Sequence, residues 1–543
     1  MLPEVARILA LPRSEGVRAP PSNPEALYLP GTTRRLRPGQ LAALGEAQRA
    51  NGLLGIIGVG QGKFLISVLA PSVIPCERPL LLVPPALVKQ TKAEIHAWGE
   101  HVNIHRALRV MSYNDLSTKG GEAQLQALQP DLIIADEVHS LKRRESARTR
   151  RFCRWFQEHP DTRLVALSGT MSSRSILDYD HIAEITLRER SPLPRSYVEV
   201  EAWAACIDAK RDPPTPHQQA AAAPLLAAFP TLVRSVQASY YARLRSCPGV
   251  LCTVDTSAAE CSLRVEARRF RPPATLVEAL TDLRKTWTLP DGTELLRASE
   301  FAAAVRQLQV GFYYVWDWGP AGPAQDWLLA RAAWAKVVRD TLARNTPGVD
   351  SPAQVEDWAR SGGAPSYVKY ALTAWEAIEG DHKPPQVARW VSYAFVDHVL
   401  DRVAWLERER GPVLVWCDSI ALLTACVDSG LRTLKPGDAL PTKPTTLVLP
   451  RHSFGTGRNL QAWSTNLVLE PTSSGTVWEQ LLGRSHREGQ DADDVLVEVP
   501  YWDGIALHYL TEAKADSAYV ENTTGQKQKL LLASFTNTGG TTQ

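Results

Sequence analysis

One short glycine-rich run limits the folds open to this chain. Residues 57–63 read IGVGQGK and lie between two apolar runs, at 53–57 and 64–70. This pattern predicts a buried strand, a tight loop and a helix. Glycines leave backbone N–H groups accessible, and the dipole of the following helix, together with the Lys63 ammonium, favours polyanionic phosphate. The pattern therefore predicts a phosphate-binding loop made by Gly58, Gly60, Gln61, Gly62 and Lys63.

An acidic pair ends a second apolar run farther along the chain. Residues 131–137 read DLIIADE, which predicts a buried parallel strand that delivers Asp136 and Glu137 at its carboxyl end. Open α/β sheets bind ligands at that edge. There Asp136 would hold Mg²⁺, directly or through water, and Glu137 would orient or deprotonate the attacking water. The loop and the acidic pair together predict a nucleoside-triphosphate site.

Five further motifs accompany these two. They are LRPGQ at 36–40, LLLVPP at 80–85, LSGT at 167–170, GTGRNL at 455–460 and QLLGRSHREGQ at 480–490. In this order the motifs resemble those of superfamily 2 helicases. The form DEVHSLK at 136–142, with the ending RSHREGQ at 484–490, is similar to the Swi/Snf-type translocase branch. The resemblance covers residues 32–190 and 385–500.

The resemblance implies a P-loop NTPase of the α/β class, with two RecA-like parallel-sheet lobes and a helical insertion between them. It implies that Gln40 reads adenine. The implied ATP-binding set is Gln40, Gly58, Gly60, Gln61, Gly62, Lys63, Gly457 and Asn459; the catalytic set is Asp136, Glu137, Arg484 and Arg487; the coupling set is His139, Ser168, Thr170 and Gln480. One of the two arginines would act as an arginine finger, because a planar guanidinium can neutralise charge on the transferred phosphoryl group when the lobes close.

The residue after the loop lysine departs from the family pattern. Family members carry Thr or Ser there, with a hydroxyl that ligates Mg²⁺, whereas this chain has Phe64. Ser67 lies one helical turn farther on, about 5 Å along the axis, so it is a poor replacement. A water could complete the Mg²⁺ shell instead. The competing interpretation makes Phe64 an apolar anchor of the first helix.

Composition places the chain among folded proteins with no strong overall charge. At 543 residues there is room for about three to four average domains. Because the net charge is only +2, any nucleic-acid surface must come from local clustering. The eight cysteines include no Cys-x-x-Cys pair, which argues against a zinc knuckle and suits a reducing compartment. With no apparent signal peptide or membrane span, we expect the cytoplasm of a bacterium or a phage-infected host.

Patterning divides the chain into five predicted parts. These are an N-terminal segment (1–31), an ATP-binding lobe (32–190), a largely helical insertion (191–384), a second lobe (385–515) and a tail (516–543) with a mobile end. Strands of the first lobe are predicted at 53–58, 80–84, 110–113, 132–135 and 164–167, and one opens the second lobe at 413–417. Apolar residues from Val387 to Leu406 predict one helix that stops at Gly411, and 213–223 reads as a linker or exposed loop.

Basic residues cluster directly after the acidic pair. Residues 142–151 contain six lysines and arginines in a segment compatible with a helix, on which Arg144, Arg148 and Arg151 would share one face. Arginines on one face would form a row that binds successive phosphates of a nucleic-acid backbone. The alternative is a solvated charged helix with no ligand.

Tryptophans concentrate in the middle of the chain. Ten of the 16 lie between Trp287 and Trp416. Aromatic rings can stack on single-stranded bases. Residues at helical spacing, such as Trp327 and Trp334, more often pack in a core, and we prefer that interpretation.

These features together predict an ATP-dependent nucleic-acid motor, in the first place a double-stranded DNA translocase or remodeller with ATP and Mg²⁺ as cofactors. Nucleic acid, and no membrane, is the expected partner. A strand-separating DNA or RNA helicase is the alternative within enzymes. From another class comes a catalytically weak nucleic-acid clamp that uses ATP only as a switch, which Phe64 supports.

Overall fold

A computed structural model describes the protein as two compact units. The described residues are 3–14, 18–58, 60–118, 120–172, 174–208, 215–216, 236–253, 261–295, 297–319, 322, 324–344, 346, 349–382, 384–435, 438–455 and 458–537. Unit 1 comprises Met1–Ala259, Ser474–Gly483 and Glu512–Leu532, and unit 2 comprises Glu260–Ser473, Arg484–Thr511 and Ala533–Gln543.

Unit 1 is built on a six-stranded parallel sheet. Its strands are β1 (Leu53–Ile56), β2 (Pro79–Val83), β3 (Arg109–Ser112), β4 (Leu132–Asp136), β5 (Arg163–Ser168) and β6 (Val250–Cys252). They lie in the order β3-β2-β4-β5-β1-β6, and every pairing is parallel. The five strands predicted for the first lobe are confirmed to within two residues at each end. The sixth, β6, was not predicted.

Helices cover both faces of this sheet. They are α1 (Pro3–Ala10), α2 (Pro38–Ala50), α3 (Lys63–Val73), α4 (Val88–Trp98), α5 (Gly121–Leu128), α6 (Ala147–Glu158), α7 (Asp180–Leu187), α8 (Tyr197–Ile207) and α9 (Val236–Arg245). Successive strand residues point to opposite faces, so Leu54 and Ile133 enter one buried apolar cluster while Leu53 and Ile134 enter the other. Burial on both faces explains why the strands read as continuous apolar runs.

Unit 2 contains a second six-stranded parallel sheet. Its strands are β7 (Ser262–Arg269), β10 (Val413–Cys417), β11 (Leu447–Pro450), β12 (Thr465–Val468), β13 (Asp494–Tyr501) and β14 (Ser534–Asn537), in the order β11-β10-β12-β13-β7-β14. All pairings are again parallel. The predicted α/β class with two parallel-sheet lobes is therefore confirmed, and the arrangement is consistent with two RecA-like lobes.

The remaining elements include a two-stranded antiparallel ribbon of β8 (Phe312–Trp316) and β9 (Gln386–Trp390). The other helices are α10 (Ala274–Thr286), α11 (Ala298–Gln309), α12 (Gln325–Ala343), α13 (Pro352–Arg360), α14 (Ser366–His382), α15 (Ala394–Arg410), α16 (Ile420–Asp428), α17 (Arg451–Phe454), α18 (Gly475–Ser485), α19 (Gly504–Thr524) and α20 (Lys529–Leu532). Among the described helices, none has the length and apolar character needed to cross a bilayer.

The tryptophans of α12 and α14 form a core of their own. Trp327, Trp334 and Trp375 are buried in one apolar cluster, and the rings of Trp327 and Trp375 lie 5.4 Å apart. Their faces are therefore not open to nucleic-acid bases. The packing interpretation is confirmed for these three side chains.

Several predicted boundaries differ from the structure. The helix predicted from Val387 is wrong over its first turn, because Gln386–Trp390 forms strand β9 and α15 begins only at Ala394. Its end at Gly411 is confirmed, where φ is +83°. The insertion predicted at 191–384 contains β6 and β7, which belong to the two large sheets.

The predicted tail beginning at 516 contains regular elements up to residue 537, and its last six residues, 538–543, lie outside the described residues. It continues α19, forms α20 and ends in β14, which pairs with β7. These elements were not predicted, because the segment from Glu521 is rich in Thr, Gly, Asn and Gln. The linker predicted at 213–223 lies outside the described residues apart from positions 215 and 216.

Candidate active site

The glycine loop follows β1 and turns into α3 as predicted. Gly60 and Gly62 have φ values of +88° and +74°, which L-residues with a side chain rarely adopt. Gly62 is the N-cap of α3, and Lys63 is its first residue. The N–H of Gly58 donates to the Thr253 hydroxyl at 3.0 Å. Thr253, which follows β6, therefore supports the loop although no sequence signal pointed to it.

Lys63 joins the loop to the end of β4. Its side chain is buried, and its ammonium donates to the carbonyl oxygen of Ile57 at 3.3 Å. The same nitrogen lies 3.4 Å from a carboxylate oxygen of Glu137. The predicted phosphate lysine and the predicted water-orienting carboxylate are thus neighbours at the carboxyl edge of the unit 1 sheet.

The acidic pair lies where the strand pattern predicts. Asp136 is the last residue of β4, and its carboxylate accepts the N–H of Glu137 at 3.1 Å. Glu137 has a left-handed backbone with φ of +54°, a conformation costly for a non-glycine residue. Burial and the nearby Glu137 carboxylate raise the pKa of Asp136, while the Lys63 ammonium opposes this rise. The site therefore favours an added positive charge beside Asp136.

Three of the predicted coupling residues contact the imidazole ring of the fourth, His139. His139 Nδ1 lies 3.0 Å from the Ser168 hydroxyl and 3.3 Å from the Thr170 hydroxyl. The same nitrogen is 3.3 Å from a carboxylate oxygen of Glu137. On the other side of the ring, Nε2 lies 3.4 Å from the amide nitrogen of Gln480. The ends of β4 and β5 and the helix α18 are connected through this ring to Glu137.

Gln40 lies against the other end of the loop. Its amide nitrogen donates to the carbonyl oxygen of Gly62 at 3.0 Å, and its amide oxygen accepts the N–H of Arg37 at 2.8 Å. The Gln40 side chain is buried and caps the N-terminus of α2 as part of a capping box with Arg37. The residue predicted to read adenine is therefore held in place beside the loop.

The donors near Asp136 suit a Mg²⁺ ion that arrives with a nucleotide. Among the described residues, no group of three or more His, Cys, Asp or Glu side chains could hold a metal alone. Mg²⁺ is commonly bound by one or two carboxylates together with substrate phosphates and waters. Asp136, with Glu137 beside it, fits that mode. When bound, the ion would neutralise phosphate charge.

Neither Phe64 nor Ser67 offers a hydroxyl to such an ion. Phe64 is half-buried and packs against the apolar cluster that contains Leu65 and Ile66. The Ser67 hydroxyl donates to the carbonyl oxygen of Lys63 at 3.1 Å, a bond within its own helix. The packing supports the interpretation of Phe64 as an apolar anchor of α3.

Replacing Phe64 by Thr is expected to destabilise the protein by about 1–3 kcal/mol, because apolar contacts are lost from a half-buried site. Phe64→Leu, which keeps an apolar side chain, should cost less than half as much. Urea unfolding of both variants measures the difference. A Phe64→Thr protein as stable as the parent, with a lower Mg²⁺ requirement for ATP turnover, would support the missing-ligand interpretation instead.

The basic cluster after the acidic pair is not one helix. The helix α6 begins at Ala147 with Ser146 as its N-cap, so Arg144 precedes it. Arg144 forms an ion pair with Asp180. Arg151 is only 2% exposed and donates to the carbonyl oxygens of Leu116 and Thr118. The predicted stripe of three arginines on one face is therefore wrong. Among the described contacts, Arg144 and Arg151 are bonded to other parts of the protein, whereas Arg148 is not.

The predicted arginines of the last motif lie in unit 2. Arg484 is buried and donates to the carbonyl oxygen of Arg458 at 3.2 Å, and Arg487 donates to the side-chain oxygen of Asn459. The two final motifs of the sequence thus meet each other. Gly457, the remaining predicted ATP-binding residue, lies outside the described residues.

Glu479 is a buried carboxyl group of unit 1 that the sequence did not single out. Its carboxylate accepts the N–H of Lys529 at 2.6 Å. Burial raises the pKa of Glu479, and the positive charges of Lys529 and Lys63 oppose that rise. Glu479 directly precedes Gln480, the first residue of the final motif, and this adjacency is the sequence feature from which it could have been predicted.

Comparison of the sequence with protein-family models and with curated proteins finds no match.

Proposed function

We propose that the chain is an ATP-dependent nucleic-acid motor, foremost a double-stranded DNA translocase or remodeller that works in the cytoplasm. One observation carries this proposal: Lys63, Glu137 and His139 lie together at the carboxyl edge of the unit 1 sheet. A phosphate-binding lysine beside a water-orienting carboxylate is the arrangement that phosphoryl transfer requires. The order of sequence motifs supports the motor rather than a simple phosphatase.

Each residue near the loop has a role in the proposed reaction. The loop and Lys63 hold the phosphates, and Asp136 holds Mg²⁺. Glu137 orients the attacking water and takes its proton. His139 couples Glu137 to the Ser168 and Thr170 hydroxyls, since its Nδ1 is within 3.3 Å of all three side chains. A shift of β5's end or of Gln480 would therefore change the position of the catalytic carboxylate.

ATP turnover measured against duplex DNA, single-stranded DNA and RNA tests which nucleic acid the motor follows. We expect duplex DNA to stimulate ATP turnover most. A strand-displacement assay on a labelled duplex separates the translocase from a helicase, because only the helicase releases the labelled strand. Turnover that none of the three nucleic acids changes would contradict a nucleic-acid motor.

A nucleic-acid clamp that uses ATP as a switch is the second candidate. Phe64 favours it, because its ring packs into the core at the position where a Mg²⁺ ligand would be expected. A clamp would bind ATP and DNA with little turnover. The same ATPase measurement separates it from the motor.

Nucleic-acid binding is expected to weaken steeply with salt, with a log–log slope of about −0.9 for each neutralised duplex phosphate. Arg148 follows the acidic pair in the first turn of α6, is partly exposed, and makes no bond to the protein among the described contacts, so its charge is available to a phosphate. Arg148→Glu should therefore flatten the slope by about one unit or more. Fluorescence anisotropy across a salt series provides the measurement.

The matched control for this charge reversal is Arg408→Glu in α15, where the arginine side chain is 68% exposed and its nearest carboxylate is the adjacent Glu409. It makes the same change in net charge on the unit 2 surface. We expect the parent slope to persist in this control. An unchanged slope in Arg148→Glu itself would mean that this surface is only solvated.

A further inference from the structure

The C-terminal part of unit 1 lies against the glycine loop. After α19 the chain turns at Gly525, where φ is +71°, and passes Gln526 before α20 begins. The side-chain amide nitrogen of Gln526 lies 3.8 Å from the position that a Cβ atom on Gly58 would occupy. A residue nearly at the end of the chain thus adjoins a loop near its beginning.

Internal hydrogen bonds fix the backbone on both sides of Gln526. Its N–H donates to the Thr524 hydroxyl at 3.4 Å, and its carbonyl oxygen accepts from the Gln528 amide at 3.2 Å. The N–H of Lys529 donates to Glu479 at 2.6 Å. The position of Gln526 is therefore set by its neighbours and not by its own side-chain amide.

That amide is buried without an acceptor. Gln526 is 3% exposed, and within the described residues its side-chain nitrogen donates no hydrogen bond. A buried donor left unsatisfied is unfavourable, and most such groups in folded proteins have a partner. The donor faces the glycine loop, where a phosphate oxygen would be an acceptor.

The position of the Gln526 amide indicates that it would contact the β- or γ-phosphate of a bound nucleotide. The Lys63 ammonium lies at the Ile57–Gly58 end of the loop, 3.3 Å from the Ile57 carbonyl oxygen, and Gln526 adjoins the same Gly58. In loops of this type the lysine reaches the β- and γ-phosphates. Gln40, in contrast, contacts Gly62 at the other end.

We propose that Gln526 donates a hydrogen bond to the terminal phosphate of a nucleoside triphosphate bound at the glycine loop, which makes the C-terminal segment a sensor of that phosphate. This inference rests on the proposed function, because it requires a nucleotide at residues 58–63. It adds a binding residue more than 450 positions from the loop in sequence. A nucleoside diphosphate lacks the acceptor and would leave the amide unsatisfied.

The test is Gln526→Met, which removes the donor while keeping an apolar chain of similar volume. A hydrogen bond to a charged group predicts that affinity for the non-hydrolysable analogue adenylyl imidodiphosphate falls by about 10-fold or more. Affinity for ADP should stay within about twofold of the parent value. Isothermal titration calorimetry of the full chain with Mg²⁺ gives both constants.

Thr523→Val is the matched control, because Thr523 is equally buried in the same segment and its hydroxyl donates only within α19, to the carbonyl oxygen of Tyr519 at 2.8 Å. It should keep the parent's preference for triphosphate over diphosphate. The melting temperature of nucleotide-free Gln526→Met should equal or exceed that of the parent, since an unsatisfied buried amide is removed.

Three outcomes would overturn the inference. They are an unchanged triphosphate affinity in Gln526→Met, an equal loss for both nucleotides, and a lower melting temperature with the same loss in Thr523→Val, which would indicate packing. If the parent binds neither nucleotide, the proposed function fails and the inference fails with it. If the parent binds both and Gln526→Met behaves like the parent, only the inference fails.

Discussion

Glu137→Gln is expected to lower ATP turnover by a factor on the order of 10³ while leaving ATP binding close to that of the parent. The carboxylate lies 3.4 Å from the Lys63 ammonium and 3.3 Å from His139 Nδ1. An amide keeps the size of the side chain but cannot accept the proton of the attacking water. Because that proton moves only in the transition state, the loss should appear in kcat rather than in affinity.

Lys63→Ala is the complementary variant. Lys63 is the lysine of the glycine loop, and its proposed role is to contact phosphate in the ground state, so its removal should weaken ATP binding itself. Equilibrium binding and steady-state turnover on both variants separate the two roles. If Glu137→Gln hydrolyses ATP as fast as the parent, Glu137 is not the residue that acts on water.

The second large effect is expected on stability, in the core of unit 2. Arg402 of α15 and Glu498 of β13 form a bidentate ion pair. The Arg402 Nε donates to Glu498 Oε1 at 2.7 Å, and its Nη2 donates to Oε2 at 2.7 Å. The side chains are 8% and 0% exposed. Glu498→Ala leaves the Arg402 guanidinium buried without its partner and should lower the free energy of unfolding by about 3–5 kcal/mol.

The double variant Arg402→Met, Glu498→Leu provides the control. It removes both charges and keeps apolar volume, so most of the stability should return. Urea unfolding followed by tryptophan fluorescence measures it, since the Arg402 guanidinium lies 3.9 Å from the Trp405 ring centre. A Glu498→Ala variant as stable as the parent would show that the pair contributes little.

The parallel strands of unit 1 were predictable because their signal is local. A strand covered on both faces must be apolar throughout, and Leu132, Ile133 and Ile134 carry that pattern in consecutive positions. The carboxyl ends of such strands share one edge, so the position of Asp136 near the glycine loop followed from topology. The contact between Lys63 and Glu137 agrees with that expectation.

Strands that pair with partners distant in the sequence were not predicted. Residues 386–390 are a strand because they pair with 312–316, which lie 70 to 78 positions earlier, although Val387 and Trp390 also fit a helical period. The same holds for β14, whose partner β7 lies over 260 positions away. Local propensity is a weak guide where such a partner decides the structure.

Burial of charged and polar side chains was the other source of error. Arg151 has the sequence context of a surface arginine, yet it is buried and bonds backbone carbonyl oxygens of residues that follow β3. Gln526 likewise looked like part of a polar tail. Arg151 bonds to residues 33 and 35 positions earlier, and the Gln526 amide adjoins Gly58, so periodicity within the local sequence reports neither contact.

Steady-state ATP turnover by the full chain with Mg²⁺, with and without duplex DNA and beside Glu137→Gln, decides whether the protein is a nucleic-acid motor. We expect turnover by the parent that duplex DNA increases, and almost none by the variant under either condition. A folded parent without turnover in the presence or absence of DNA, or a variant that matches the parent, would contradict it.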